Sequence, residues 1–157
     1  MLLQWRGGLQ SLQQALEARG WKAAPAWSVD ALNGFAFPDT PAADLPAAPK
    51  FHDGRREVLT ALYPLNDGQS RLVLQVWPEN VRDPNGRSES FYVGAVVRER
   101  VEHPFDQLSI PLRAGSRHCD AVPLLANLPQ ASVVGDVQQG SAGACGGQTV
   151  LAAEGTL

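Results

Sequence analysis

Three apolar runs between residues 57 and 100 constrain the fold more than any other feature of the chain. "EVLTALY" alternates Val58, Thr60 and Leu62 against Leu59, Ala61 and Tyr63, and "RLVLQVW" sets Leu72, Leu74 and Val76 opposite Arg71, Val73, Gln75 and Trp77. A period of two marks strands whose faces meet different surroundings. "PLNDGQS" between them supplies the Asn-Asp-Gly chemistry of a hairpin loop. A third run, "SFYVGAVVRER", follows the polar loop "PENVRDPNGRSES", whose Pro-Asn-Gly marks a turn. An antiparallel meander is the economical arrangement, with one face apolar enough to receive a helix.

That helix precedes the meander. "LQSLQQALEARGW" puts Leu9, Leu12 and Leu16 at helical spacing, with Gln and Glu on the other side. Gly20 stands where a left-handed residue would end the helix, and Trp21 where it can pack back on Leu16. A second, short helix starts at "WSVDAL", capped by Ser28 and flanked by Trp27 and Leu32 in the positions of a hydrophobic staple; Gly34 and Pro38 follow. Residues 38–49, "PDTPAADLPAAP", carry no hydrophobic period and read as an extended Pro/Ala-rich connector over the surface. Further on, "LSIPL" suits an edge strand, because Pro111 cannot donate to a ladder. "DAVPLLANL" suits a helix opened by Asp120 with Pro123 in its first turn. "ASVVGDV" and "TVLAAE" are two more short strands, separated by "QQGSAGACGGQ". The expected class is α+β: a mostly antiparallel sheet with a central meander and two or three short helices packed on one face.

Composition narrows function by exclusion. At 157 residues the chain is the size of one domain, 1–157, and can bury a core without metals or disulfide staples. A net charge of -3 leaves no basic footprint, so nucleic acid is not an expected partner. No apolar run approaches the ~20 residues that span a bilayer, and "MLLQWRGG" lacks the features of a signal peptide. The chain reads as a soluble piece. Leu2, Leu3 and Trp5 look like strand residues, which suggests an excerpt of a longer protein. Cys119 and Cys145 are without the Cys-x-x-Cys spacing of zinc or redox sites and read as ordinary thiols, with a bridge as the alternative. No cofactor is called for.

The candidate site is "KFHDGRREVL", with Lys50, His52, Asp53, Arg55 and Arg56. Adjacent His and Asp invite comparison with phosphohydrolases that bind metal through such a doublet on a helix. Here no histidine occurs among the first 51 residues, and Gly54 disfavours a helix. In an extended chain, neighbouring side chains would also point to opposite faces, so no shared metal is expected. Asp-Gly is a turn dipeptide leading Arg55, Arg56 and Glu57 into the first meander strand. The site is then either a solvated turn or an anion cradle formed by Lys50, Arg55, Arg56 and local amides. "SRHCD" at 116–120 groups Ser, Arg, His and Asp, but catalytic triads are assembled from distant segments, so their proximity in sequence carries little weight. No G-x-S-x-G elbow is present, and "GSAGACGG" lacks the Lys-Ser/Thr of a P-loop. Trp5, Trp21, Trp27 and Trp77 fit core and cap positions, with an aromatic ligand pocket as the alternative. No set of catalytic residues emerges.

The landmarks "QW.GGL..L...L...GW", "AAPKFHDGRREVL", "RLVLQVWPENVR" and "FYVGAVVRE" occur in that order between about Leu3 and Glu99. In this the chain resembles the LssY C-terminal domain family. The resemblance implies a soluble domain appended to bacterial membrane proteins of the type 2 phosphatidic acid phosphatase-like kind, sometimes DedA-like. It implies membrane tethering through the parent chain, with the cytoplasmic side favoured. Expected partners are its own membrane domain, another envelope protein or a phosphate-bearing lipid. The family carries over no catalytic residues. The phosphatase motif itself is missing: counted from Ser116 and Arg117, its histidine and aspartate positions hold Pro123 and Asn127. Two functions remain open, a non-catalytic accessory or interaction domain and a phosphate-ligand-binding domain or small hydrolase using His52 to Arg56.

Overall fold

A computed structural model describes residues 2–82, 86, 88–114, 118–135 and 148–155. In chain order the elements are β1 (Leu3–Arg6), α1 (Leu9–Glu17), β2 (Lys22–Ala23), α2 (Val29–Gly34), β3 (Phe51–His52), β4 (Arg55–Arg56) and β5 (Leu59–Pro64). They continue with β6 (Ser70–Arg82), β7 (Ser88–Glu102), β8 (Ile110–Arg113), α3 (Val122–Leu125), β9 (Ser132–Val134) and β10 (Thr149–Ala153). The main sheet runs β2-β5-β6-β7-β1-β10-β9, with β8 on the remaining stretch of the β7 edge. Its class is α+β, dominated by antiparallel pairs, and the β5-β6-β7 meander forms its centre.

The period of two in the meander sorts its side chains between two layers. Ala61, Leu74 and Val96 lie in register across β5, β6 and β7, and all three belong to the main core. One residue along, Leu62, Val73 and Val97 are again in register but belong to a separate cluster on the opposite face. The main-core face is covered by Leu12 and Leu16 of α1, by Trp21, and by Leu125 and Leu128 in and after α3.

α1 ends as its residues dictate. Gly20 takes φ 85°, its amide reaches the Glu17 carbonyl at 3.0 Å, and the Trp21 amide reaches the Leu16 carbonyl at 3.2 Å. This is the Schellman pair of bonds, and it delivers the Trp21 ring to the core beside Leu16. α2 is capped by the Ser28 hydroxyl, which accepts from the Ala31 amide at 3.1 Å. Trp27 stacks on Phe35 with ring centroids 5.9 Å apart.

Three differences from the sequence expectations stand out. The strands β6 and β7 run well into the polar stretch assigned to a loop, pairing as far as Arg82 and Ser88. Pro78 is tolerated there because β5 ends opposite Val76, so the missing amide lies on an open edge. β1 pairs parallel to β10 on one side and antiparallel to β7 on the other, a non-local arrangement that no local pattern announces. Finally, the connector at 38–49 does not simply run over the surface. Ala42, Leu45 and Ala47 are buried, a 3-10 turn spans Ala42–Asp44, and the segment covers the second face of the sheet.

That covering is held by polar side chains projecting from β6. Arg71, fully buried, donates to the carbonyls of Ala42 (2.7 Å), Leu45 and Pro46 (3.2 Å), and its Nη2 pairs with the Glu99 carboxylate at 2.8 Å. Gln75 donates to the Ala48 carbonyl at 2.9 Å and Trp77 to the Lys50 carbonyl at 3.3 Å. A proline-rich segment has few amides of its own, so its carbonyls need donors from elsewhere. β6 supplies them at alternate positions.

Candidate functional site

The segment continues from Lys50 into a small hairpin, β3-β4, laid against the open edge of β6. Phe51 pairs with Arg56 and His52 with Arg55. The two central residues, Asp53 and Gly54, take φ 48° and 73°, the positive values that a two-residue type I′ turn requires. Lys50 and Glu57 close its base: the Lys50 amide donates to a Glu57 carboxylate oxygen at 2.9 Å, and the Glu57 amide donates to the Lys50 carbonyl at 3.3 Å.

Paired residues of a hairpin share a face, so His52 and Arg55 lie on one side and Phe51 and Arg56 on the other. The His52 ring lies 5.6 Å from the Trp77 ring, and Arg55 donates to the Pro78 carbonyl at 3.4 Å. Arg56, on the opposite side, sits 3.5 Å from Glu57 and lines a cleft of about 420 Å³ with Trp27, Ala47 and Thr60. The two arginines therefore do not converge on one anion. Lys50 is half-buried, and burial chiefly holds its amine below the usual lysine range, with Glu99 opposing and Arg113 reinforcing the shift. Of the five sequence candidates, His52, Asp53 and Arg55 come together, while Lys50 and Arg56 are turned to other tasks.

The structure corrects one premise about the His-Asp doublet. Asp53 is in a left-handed turn conformation and not in an extended chain, so its carboxylate comes round to the histidine. His52 Nε2 stands 3.7 Å from Asp53 Oδ2 and 3.4 Å from Glu79 Oε1. Glu79, on β6, was absent from the sequence candidates. Its signal was available only in part: alternation from Trp77 places it on the same face, but the hairpin's docking position is a tertiary fact. His52, Asp53 and Glu79 each offer a ligand atom, and all three atoms lie within 4.8 Å of one another. Of the "SRHCD" group Asp120 is described, its carboxylate 3.3 Å from Arg98 Nη1; the side chains of the other four residues, the two thiols and the glycine-rich stretch fall outside the described side chains.

Two of the stretches that carry the family resemblance thus pack on each other, "KFHDGRREVL" across "QVWPE". A family model described as LssY C-terminus matches residues 2–107, well over half of the chain. The chain belongs to the LssY C-terminus family. No curated protein matches it, and neither does any solved structure. The LssY C-terminus match takes in β1 to β7 and stops before β8, α3, β9 and β10. Among the described residues no helix is long and apolar enough to cross a membrane.

Proposed function

We propose that this LssY C-terminus domain is a non-catalytic accessory module of a bacterial membrane lipid-phosphate phosphatase or envelope transport protein. It docks through the layer formed by α2, the connector and the β3-β4 hairpin. The observation that supports this reading is how that layer is built. The polar side chains of β6 beneath it, Arg71, Gln75 and Trp77, are occupied in holding its backbone carbonyls. Its outward side carries apolar groups: Phe51 is 69% exposed, and Val29 and Phe37 are exposed as well. A rigidly backed loop layer with aromatic tips suits recognition of another surface more than it suits turnover.

A phosphate-bearing ligand at the hairpin has less support. Arg55 and Arg56 face opposite ways, and His52 has two carboxylates as its near neighbours.

A photo-crosslinking residue at position 51 of the full-length parent protein tests docking. Capture of the parent's own membrane domain is expected; capture of another envelope protein also supports docking, whereas labelling of lipid alone would transfer support to the phosphate-ligand reading. Hydrolysis of a phosphate or ester by the isolated domain, abolished in His52→Ala, would overturn the non-catalytic assignment.

A further inference from the structure

We propose that His52, Asp53 and Glu79 bind a divalent transition-metal ion of the zinc class, with three protein ligands and one open position. The proposal stands on the hairpin's geometry and is independent of the docking reading.

The separations carry it. Zinc bonds to nitrogen and carboxylate oxygen are about 2.0–2.2 Å long, which puts tetrahedral ligand atoms roughly 3.4 Å apart. His52 Nε2 is 3.4 Å from Glu79 Oε1 and 3.7 Å from Asp53 Oδ2. Charge-assisted hydrogen bonds between such groups are shorter, about 2.7–2.9 Å, so a directly bonded ion pair would have closed these gaps. The three ligand atoms lie within 4.8 Å of one another, and only Asp53, whose side chain is 82% exposed, needs to swing inward to complete the set.

The chemistry fits as well. One imidazole and two carboxylates make a mixed nitrogen and oxygen set suited to zinc and its neighbours, and unlike the all-oxygen sets that hold calcium or magnesium. Two negative charges balance the ion. The supports are firm: Glu79 stands on the longest hairpin of the sheet, Trp77 backs the imidazole, and the turn at Asp53-Gly54 sets the third ligand. The nearby cation, Arg55, is engaged at the Pro78 carbonyl. The exposed side of Asp53 leaves a fourth position open to water or to an oxygen ligand from a partner. A bound ion would clamp the hairpin to β6.

The test uses the whole 157-residue chain with Cys119→Ser and Cys145→Ser, so that thiols cannot hold the ion. After chelator treatment it is titrated with Zn²⁺ by calorimetry and with Co²⁺ by visible absorption. Expected are saturable binding of one ion, a tetrahedral Co²⁺ spectrum, and a rise in melting temperature with Zn²⁺. Glu79→Gln, which preserves shape, and His52→Ala should each weaken binding at least about tenfold. His103→Ala should leave it unchanged. Absence of binding, or equal affinity in all these variants, would overturn the proposal. Melting of each variant without metal separates lost ligation from lost folding.

Discussion

Gly7 and Gly54 both require positive φ, yet they differ in what a side chain would meet. At Gly54, φ 73°, an added Cβ finds open space, so Gly54→Ala should cost only the left-handed strain, about 1–2 kcal/mol. At Gly7, φ 137°, the Cβ would stand 2.6 Å from Glu154 Cβ. Strain of about 1–3 kcal/mol then adds to a steric cost of similar size, about 1–3 kcal/mol. Urea denaturation of the two variants should rank Gly7→Ala well below Gly54→Ala. Gly7 also admits the Glu154 carboxylate, whose Oε2 would lie 2.8 Å from an added Cβ, to the start of α1, where it accepts from Ser11 Oγ at 2.6 Å and the Gly8 amide at 3.0 Å. Ser11 first, then the Gly8 amide, hold the Glu154 carboxyl below the usual range. Asp67, in the β5-β6 loop, is lowered too, by the Ser70 side chain and by the amides of Ser70 and Gln69. Both groups bind protons less readily folded than unfolded, so their contribution is complete above the ordinary carboxylate range and is lost as pH falls through the lowered folded values. Glu154→Gln should flatten the acid side of a melting-temperature profile. A profile unchanged from the parent would show that the carboxylate does not cap α1.

At the scale of elements, the connector depends on β6 more than on itself. Arg71→Ala removes the donor to three carbonyls and leaves Glu99 without its partner, a loss expected to cost about 3–5 kcal/mol. Limited proteolysis should then cut first within residues 38–50. Arg71→Met combined with Glu99→Met should recover part of this loss, because neither member of the buried pair is left without the other, and not all of it, because the carbonyls stay unpaired and Lys50 loses Glu99. A double variant as unstable as Arg71→Ala would point to the carbonyl bonds as the dominant contribution. β7 shows how crowding governs an element: at Gly94 a Cβ would lie 2.9 Å from Leu74 Cδ1 and 3.1 Å from Leu3 Cβ. Gly94→Ala should therefore destabilise by about 1–3 kcal/mol through overpacking between β6 and β1.

Across the whole molecule, the family match and the folding unit have different limits. The LssY C-terminus match ends at 107, but Ala121, Leu125, Leu128, Val150 and Ala152 from beyond it belong to the main core. β10 also covers the outer edge of β1, residue for residue from Leu3 with Val150 to Arg6 with Ala153. A chain ending at Gln107 would lose those side chains and expose an unpaired edge next to the core. It should lack cooperative thermal unfolding and aggregate, while the full chain melts as a unit. A cooperative melt of the truncated chain would show that the matched region folds alone.

Much of this architecture was legible locally. Alternation marked the meander, Leu9, Leu12 and Leu16 marked α1, Gly20 with Trp21 marked its end, Ser28 marked the α2 cap, and Asp53-Gly54 marked a turn. These signals rest on backbone conformations and periodicities that a few neighbouring residues decide for themselves. The burial of the connector, the parallel β1-β10 pair and the meeting of His52 with Glu79 were decided only in three dimensions. Each joins segments separated by tens of residues or more, and which distant partner wins depends on how the faces pack and which buried carbonyls still need donors, a balance no local stretch of sequence contains.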